Sequence, residues 1–327
     1  ALAGREAGSR KRGRQERRKE TMNKTLPRNL LAIQALSWII SGSLPAQDMP
    51  LDQVLIEGEG WAVVGEGYKF TEGPACDPSG RLYFTDPPGD TIYRLGEDGK
   101  PEVFAKDAGH PGGMMFGPGG RLYCTQGAKR RIVAYDAAGK IEVIASDVRS
   151  NDLVVTGEGG VYFTDPRAKR IWYVDPQKNK RVVDEGIERP NGIILWPGQG
   201  TLVVADTNTS SLWTFRIEKD GSLSQKQPYY TMRLSRQQAP KSGADGMTVD
   251  RDGRLYVATH CGLQMFDTQG RISGVIAKPQ AAFLSNVVFG GKELQTLYVT
   301  CSDKVFRRKT KVRGLLFFEP GPPPSKP

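Results

Sequence analysis

Residues 71–86 read TEGPACDPSGRLYFTD. A short apolar segment follows Glu72-Gly73-Pro74, a Pro/Ser/Gly turn comes next, and Leu82-Tyr83-Phe84 starts an alternating strand. A third strand is expected at Ile92–Leu95, then the turn Glu97-Asp98-Gly99-Lys100 and a fourth strand at Glu102-Val103-Phe104. Strand runs bounded by Gly, Pro, Asp and Ser read as a four-stranded antiparallel meander. The unit then returns. HPGGMMFGPGGRLYCTQ begins at His110, SNDLVVTGEGGVYFTD at Ser150 and RPNGIILWPGQGTLVVAD at Arg189. GADGMTVDRDGRLYVAT begins at Gly243 and LSNVVFGGKELQTLYVT at Leu284. Six copies spaced by about forty residues predict an all-β chain, a six-bladed β-propeller of four-stranded antiparallel blades.

A propeller must close, because an open sheet edge invites aggregation. The sixth copy shows only three strands after Leu284, the last near Lys304–Arg307, while Trp61-Ala62-Val63-Val64 stands alone before the first copy. That orphan is expected to supply the outer strand of blade six and fasten the ring. The 327 residues then form one closed domain over 47–314 rather than two domains, and the 39 glycines suit many tight turns.

The formal charge of +10 is unevenly placed. Residues 1–21 hold eight Lys/Arg against three Glu, and Lys24 and Arg28 add two more, so the chain from Gln47 on is only about +3. A nucleic-acid partner is therefore not expected of the folded part. Residues 1–46 read as a disordered basic leader followed by a signal peptide. Met22 opens a basic segment, Leu30–Ile40 is the apolar run, and SGSLPAQ supplies a cleavage site after Ala46, with Met22 as the true start. The run is too short for a membrane span, so a periplasmic or secreted protein without stable membrane insertion is expected. Residues 315–327, ending EPGPPPSKP, read as a disordered tail. Cys76, Cys124, Cys261 and Cys301 fall in four blades with no C-x-x-C pair, and free thiols are expected in preference to disulfides or a thiolate zinc site.

Aligned on their second strands, the six copies place Glu72, Gly112, Asn151, Asn191, Asp245 and Asn286 at the starts of the innermost strands. Innermost strands line a propeller's channel, so these side chains are expected to face one small volume. Turn chemistry explains single Asn-Gly or Asp-Gly pairs but not five oxygen-bearing residues in register. Carboxylate and amide oxygens are hard ligands, which predicts one divalent cation: Ca²⁺ first, with Mg²⁺, Mn²⁺ or Zn²⁺ as the other candidates.

EGP at Glu72, R-x-N-D at Arg149–Asp152, RPNG at Arg189–Gly192 and ADGM at Ala244–Met247 resemble the SMP-30/gluconolactonase/luciferin-regenerating enzyme family over roughly Trp61 to Gly314. The resemblance implies a six-bladed propeller with a catalytic divalent cation in its channel. By the same resemblance Glu72, Asn191 and Asp245 are metal ligands and Asn151 touches metal or substrate. Arg149 is a substrate contact and Asp245 the general acid/base. After Tyr162-Phe163 this chain reads TDPRAKR, so a further substrate-contacting acid of the animal members has no counterpart. Asp165 is a substitute, or simply a strand-ending turn residue like Asp86 in the first FTDP.

This chemistry fits a hydrolase of sugar-acid lactones, with a cation polarising the carbonyl and a carboxylate relaying the proton. Arg149, two residues before Asn151, points the same way on an extended strand and suits hydroxyls or a carboxylate. His110 precedes the inner strand of blade two and is a further substrate-binding candidate, whereas His260 reads as structural. The long interval before Asp245, around Ser224–Lys241, is expected to sit at the mouth of the site as a lid or specificity loop. No G-x-S-x-G elbow, phosphate loop or G-x-G-x-x-G is present. Two rival readings are a phosphotriesterase of the diisopropyl fluorophosphatase type and a non-catalytic sugar- or protein-binding propeller with structural calcium.

Overall fold

The computed structural model describes residues 51–236 and 241–316. The leader and signal peptide expected over 1–46, and the tail from 317 on, lie outside the described residues. The first four blades run in chain order from the channel outward. Blade one is Glu72–Cys76, Leu82–Asp86, Thr91–Leu95 and Pro101–Lys106. Blade two is Pro111–Phe116, Leu122–Gln126, Arg131–Tyr135 and Ile141–Ser146. Blade three is Leu153–Val155, Val161–Asp165, Arg170–Val174 and Lys180–Glu185. Blade four is Pro190–Leu195, Thr201–Asp206, Ser211–Ile217 and Leu223–Thr231.

Blade five is Met247–Val249, Leu255–Thr259, Gly262–Phe266 and Ile272–Ile276. Blade six takes Leu284–Gly290, Thr296–Cys301 and Lys304–Lys309 from the end of the chain and its outer strand, Ala62–Glu66, from the beginning. That last pairing is antiparallel, with Ala62 opposite Arg307 and Glu66 opposite Lys304, whose ammonium meets Glu66 at 2.6 Å. The orphan strand closes the ring as its position in the sequence predicted. Among the described residues no helix is long and apolar enough to cross a membrane.

Blades pack face to face through the alternating residues of their middle strands. Between blades one and two, Tyr83 meets Phe104 and Phe116 edge to face, with ring centroids 5.2 and 5.1 Å apart. Cys76, Cys124 and Cys301 are buried in such layers and Cys261 is half-buried, all four as free thiols.

The segment Ser224–Lys241 departs from expectation. Its first part is not a lid but the outer strand of blade four, where Tyr230 packs edge to face on Phe266 of blade five. Alternation was hidden there because Ser224-Gln225-Lys226-Gln227 offers no apolar residue, an outer strand needing few. Beyond it Arg233 is held to blade five, its N–H donating to Gln264 Oε1 at 2.8 Å and its carbonyl accepting from Gln264 Nε2 at 2.9 Å.

Candidate functional site

The ladders between first and second strands fix which inner residues are equivalent. Cys76, Phe116, Val155, Leu195, Val249 and Phe289 oppose Leu82, Leu122, Val161, Leu202, Leu255 and Leu297. Four residues back lie Glu72, Gly112, Asn151, Asn191, Asp245 and Ser285. The layer beneath is Gly73, Gly113, Asp152, Gly192, Gly246 and Asn286. The expected register therefore holds in five blades and slips by one in blade six, where Ser285 occupies the upper layer and Asn286 the lower. The cause is a longer turn: twelve residues separate Ser285 from Leu297, against ten between Glu72 and Leu82.

Two features aim these side chains inward. The ladder is irregular immediately after Glu72, Pro111, Pro190 and Leu284, a bulge in each inner strand. A bulge bends its strand and re-aims the side chain beside it. In the lower layer, a Cβ on Gly192 would strike the carbonyl of Asp245, and one on Gly73, at φ +50, the carbonyl of Gly112. Asn-Gly and Glu-Gly are thus demanded by how closely the next blade approaches.

Hydroxyls on the second strands of blades one to three each tie that blade to the next. Thr125 Oγ1 donates to Asn151 O at 3.0 Å, Thr164 Oγ1 to Asn191 O at 2.8 Å, and Thr85 Oγ1 to Gly112 O at 3.3 Å. Blade four has Ala205 at the equivalent place. There Thr207 serves, donating to Ala244 O at 2.8 Å and accepting from Asn191 Nδ2 at 3.0 Å. The ring closes where Ser285 Oγ donates to Thr71 O at 2.8 Å.

The upper layer brings together Glu72, Asn151, Asn191 and Asp245, and the lower adds Asp152. Asn151 Nδ2 donates to Asn191 Oδ1. Burial, then the charge of Asp152, push the Glu72 carboxyl up to about 8. Burial lifts Asp152 to about 6, partly offset by Asn286. Asp245 is raised well above the usual carboxylate range, first by burial and then by the charges of Glu72 and Asp152, against a small opposing pull from Arg189. Asp245 is 3% exposed, and its Oδ1 is buried without a hydrogen-bond partner among the described residues.

Unpaired buried carboxylate oxygen is costly, and crowding three carboxylates compounds the cost. Such a set of hard oxygens suits a divalent cation. Among the described residues no three His, Cys, Asp or Glu side chains stand at metal-ligand spacing by themselves.

Asn151 also lines an open cleft of about 610 Å³ at the mouth, together with Arg130, Arg149, Asp165, Arg167 and Arg189. Arg149 and Asn151 thus share the cleft. Asp165 lines it too while accepting the Ala168 N–H at 3.0 Å, so it caps its own turn. His110 lies at the rim, where its N–H donates to Asp90 Oδ1 at 2.6 Å and its carbonyl accepts from Gly127, and it is not among the cleft's lining residues. His260 stacks edge to face on Phe283.

Sequence reasoning did not single out Asp152, Ser285 or the arginines at 130, 167 and 189. Asp152 carried a signal, the only carboxylate in a layer otherwise mostly glycine. The arginines carried none until the turns were placed.

A sequence profile described as the SMP-30/Gluconolactonase/LRE-like region matches residues 70–303. A gluconolactonase of Zymomonas mobilis is 28% identical over 147 residues, spanning 44% of this chain and 41% of that protein. The match thus covers about two fifths of the curated relative's length. A gluconolactonase of Xanthomonas campestris has a similar structure, with TM-score 0.69 and 23% identity over 80% of this chain and 92% of the other. Regucalcin of Agrobacterium tumefaciens, a calcium-binding protein, superposes with TM-score 0.67 at 20% identity, covering 80% of this chain and 97% of the other. At those identities the two structures attest the fold. The profile covers blades one to five, the two inner strands of blade six and the whole of both channel layers, and the chain belongs to the SMP-30/gluconolactonase/LRE-like family.

Proposed function

We propose that this chain is a divalent-cation-dependent hydrolase of sugar-acid lactones. The observation that carries the reading is the carboxylate set of half-buried Glu72 and buried Asp152 and Asp245, with an orphaned Asp245 oxygen beside a cleft rich in arginines. Glu72, Asn151, Asn191 and Asp245 would hold the cation, Ca²⁺ foremost. Bound there, it would supply Lewis acidity toward a carbonyl and toward water.

The chain's own residues do the rest. Asp245 takes the proton from the attacking water and returns it to the departing ring oxygen. The Asn151–Asn191 hydrogen bond fixes the orientation of both amides. Arg149 orients the substrate's hydroxyls from the cleft wall, and His110 contributes from the rim. An exported protein whose mature chain starts at Gln47 fits a lactone met outside the cytoplasm.

Glucono-1,5-lactone hydrolysis before and after exhaustive chelation tests the proposal. Activity that vanishes with EDTA and returns with Ca²⁺, Mg²⁺ or Mn²⁺ supports it. Organophosphate hydrolysis without lactonase activity would point to a phosphotriesterase. Cation binding without either activity would leave a binding propeller.

A further inference from the structure

Four guanidiniums line the cleft and only one carboxylate does, Asp165, whose Oδ1 is engaged by the Ala168 N–H. Arg130 is paired with Asp147. Arg149, Arg167 and Arg189 have no side-chain hydrogen bond or ion pair among the described residues, and all three are exposed. Arginines elsewhere in blades one to three behave differently: Arg94 pairs with Glu102, Arg121 with Glu142 and Arg170 with Glu185, each a carboxylate of an outer strand. The three unpaired side chains come from separate places. Arg149 and Arg189 enter the inner strands of blades three and four, and Arg167 sits in the TDPRAKR turn of blade three.

Like charges lining one concavity repel one another, and the field they build is focused into the cleft. One arginine suffices to orient a neutral sugar lactone. Three unpaired forks in a volume of about 610 Å³ match a ligand that brings negative charge of its own. The charge must lie away from the reacting carbonyl, because the carboxylates deeper in the channel would repel an anion placed there. Asn151 belongs to both cleft and channel, so it marks where carbonyl and charged end divide.

Resting on the lactonase reading, we propose that the cleft selects lactones carrying a second anionic group, a carboxylate or phosphate on the chain remote from the ring carbonyl. Arg149, Arg167 and Arg189 grip that group. Hydrolysis adds water across the acyl–oxygen bond: the ring C–O bond breaks, the ring oxygen leaves as a hydroxyl, and the acyl carbon becomes a carboxylate with release of one proton. A substrate of charge −1 or −2 therefore gains one further negative charge, and the product binds the same arginines.

The full chain, loaded with Ca²⁺, would be assayed on three substrates. They are neutral glucono-1,5-lactone, the carboxylated 1,4-lactone of glucaric acid and a 6-phosphorylated gluconolactone, each at low and high salt. The expected result is kcat/KM at least about tenfold higher for one anionic lactone, shrinking as salt screens the cleft. Arg167→Gln should lower the ratio of anionic to neutral kcat/KM about tenfold, mostly through KM. Equal rates on all three lactones, or a ratio untouched by Arg167→Gln, would overturn the inference while leaving the lactonase reading intact. Should no lactone be hydrolysed, calorimetry with gluconate, glucarate and 6-phosphogluconate still decides it. Arg167-dependent binding of glucarate or 6-phosphogluconate supports the anion site although the lactonase reading falls, and no preference over gluconate overturns it. The carboxylate and phosphate arms separate the two sources of charge.

Discussion

In the proposed mechanism Asp245 is the residue on which the chemistry turns, and its neighbours dictate two opposite effects of replacing it. Asp245→Asn keeps the size and one ligating oxygen but removes the basicity, so kcat on a lactone should fall by about 10²–10⁴-fold. In the cation-free protein the same change removes a buried carboxyl that the crowding with Glu72 and Asp152 makes costly to ionise, and the melting temperature should rise rather than fall. Kinetics and melting curves on one preparation check both; a substitution that lowers both would make Asp245 an ordinary structural residue. Glu72→Gln should instead weaken cation affinity, with activity partly rescued by excess cation. The pH dependence has a definite sign. Glu72 rises from an ordinary value of 4.5 to about 8, so between those values the folded, cation-free chain binds more protons than the unfolded one. The stability this carboxyl contributes is fully present below about 4.5 and is lost as pH climbs through about 8. Urea midpoints in EDTA should accordingly be lower at pH 8 than at pH 5, and saturating Ca²⁺ should abolish that decline. A midpoint that rises with pH would refute the carboxylate crowding.

Strands and turns decide how much of this was legible beforehand. The repeat, the closing strand and five of the six channel positions follow from motifs whose spacing from the second strand is nearly constant. Blade six hid its register because its hairpin turn is longer, and Asn286, a ligand-like residue, stood one step from the true position held by Ser285. Asp152 was overlooked because a strand-start pattern reads one layer, while bulges bring two layers to the channel. The arginine cleft is assembled from turns of three blades, and no local pattern records that. Nor does sequence reveal that Thr85, Thr125 and Thr164 latch consecutive blades, since threonine is common in strands on propensity alone. Thr164→Val removes the donor to the Asn191 carbonyl and should cost about 1–3 kcal/mol. Urea denaturation measures the loss, and KM should rise with it because Asn191 is no longer fixed. An unchanged midpoint would mean that the latch contributes nothing.

The propeller is a ring whose first and last strands meet in one sheet and whose blades meet around one channel. Deleting 62–66 would leave the edge of Lys304–Lys309 unpaired, and the protein should sediment as aggregate or melt well below the intact chain. Glu72, Asn151, Asn191 and Asp245 come from blades one, three, four and five, so a cation held by them bridges the ring. A ligand that binds only the folded state stabilises it by about 2.7 kcal/mol at a hundredfold excess over its Kd. The most direct test couples occupancy to catalysis: calorimetric titration of Ca²⁺ into chelated protein, with lactone hydrolysis followed on the same samples. One cation per chain, with activity rising from nothing in proportion to sites filled, is the predicted result. Full lactonase activity in protein that binds no cation would contradict it.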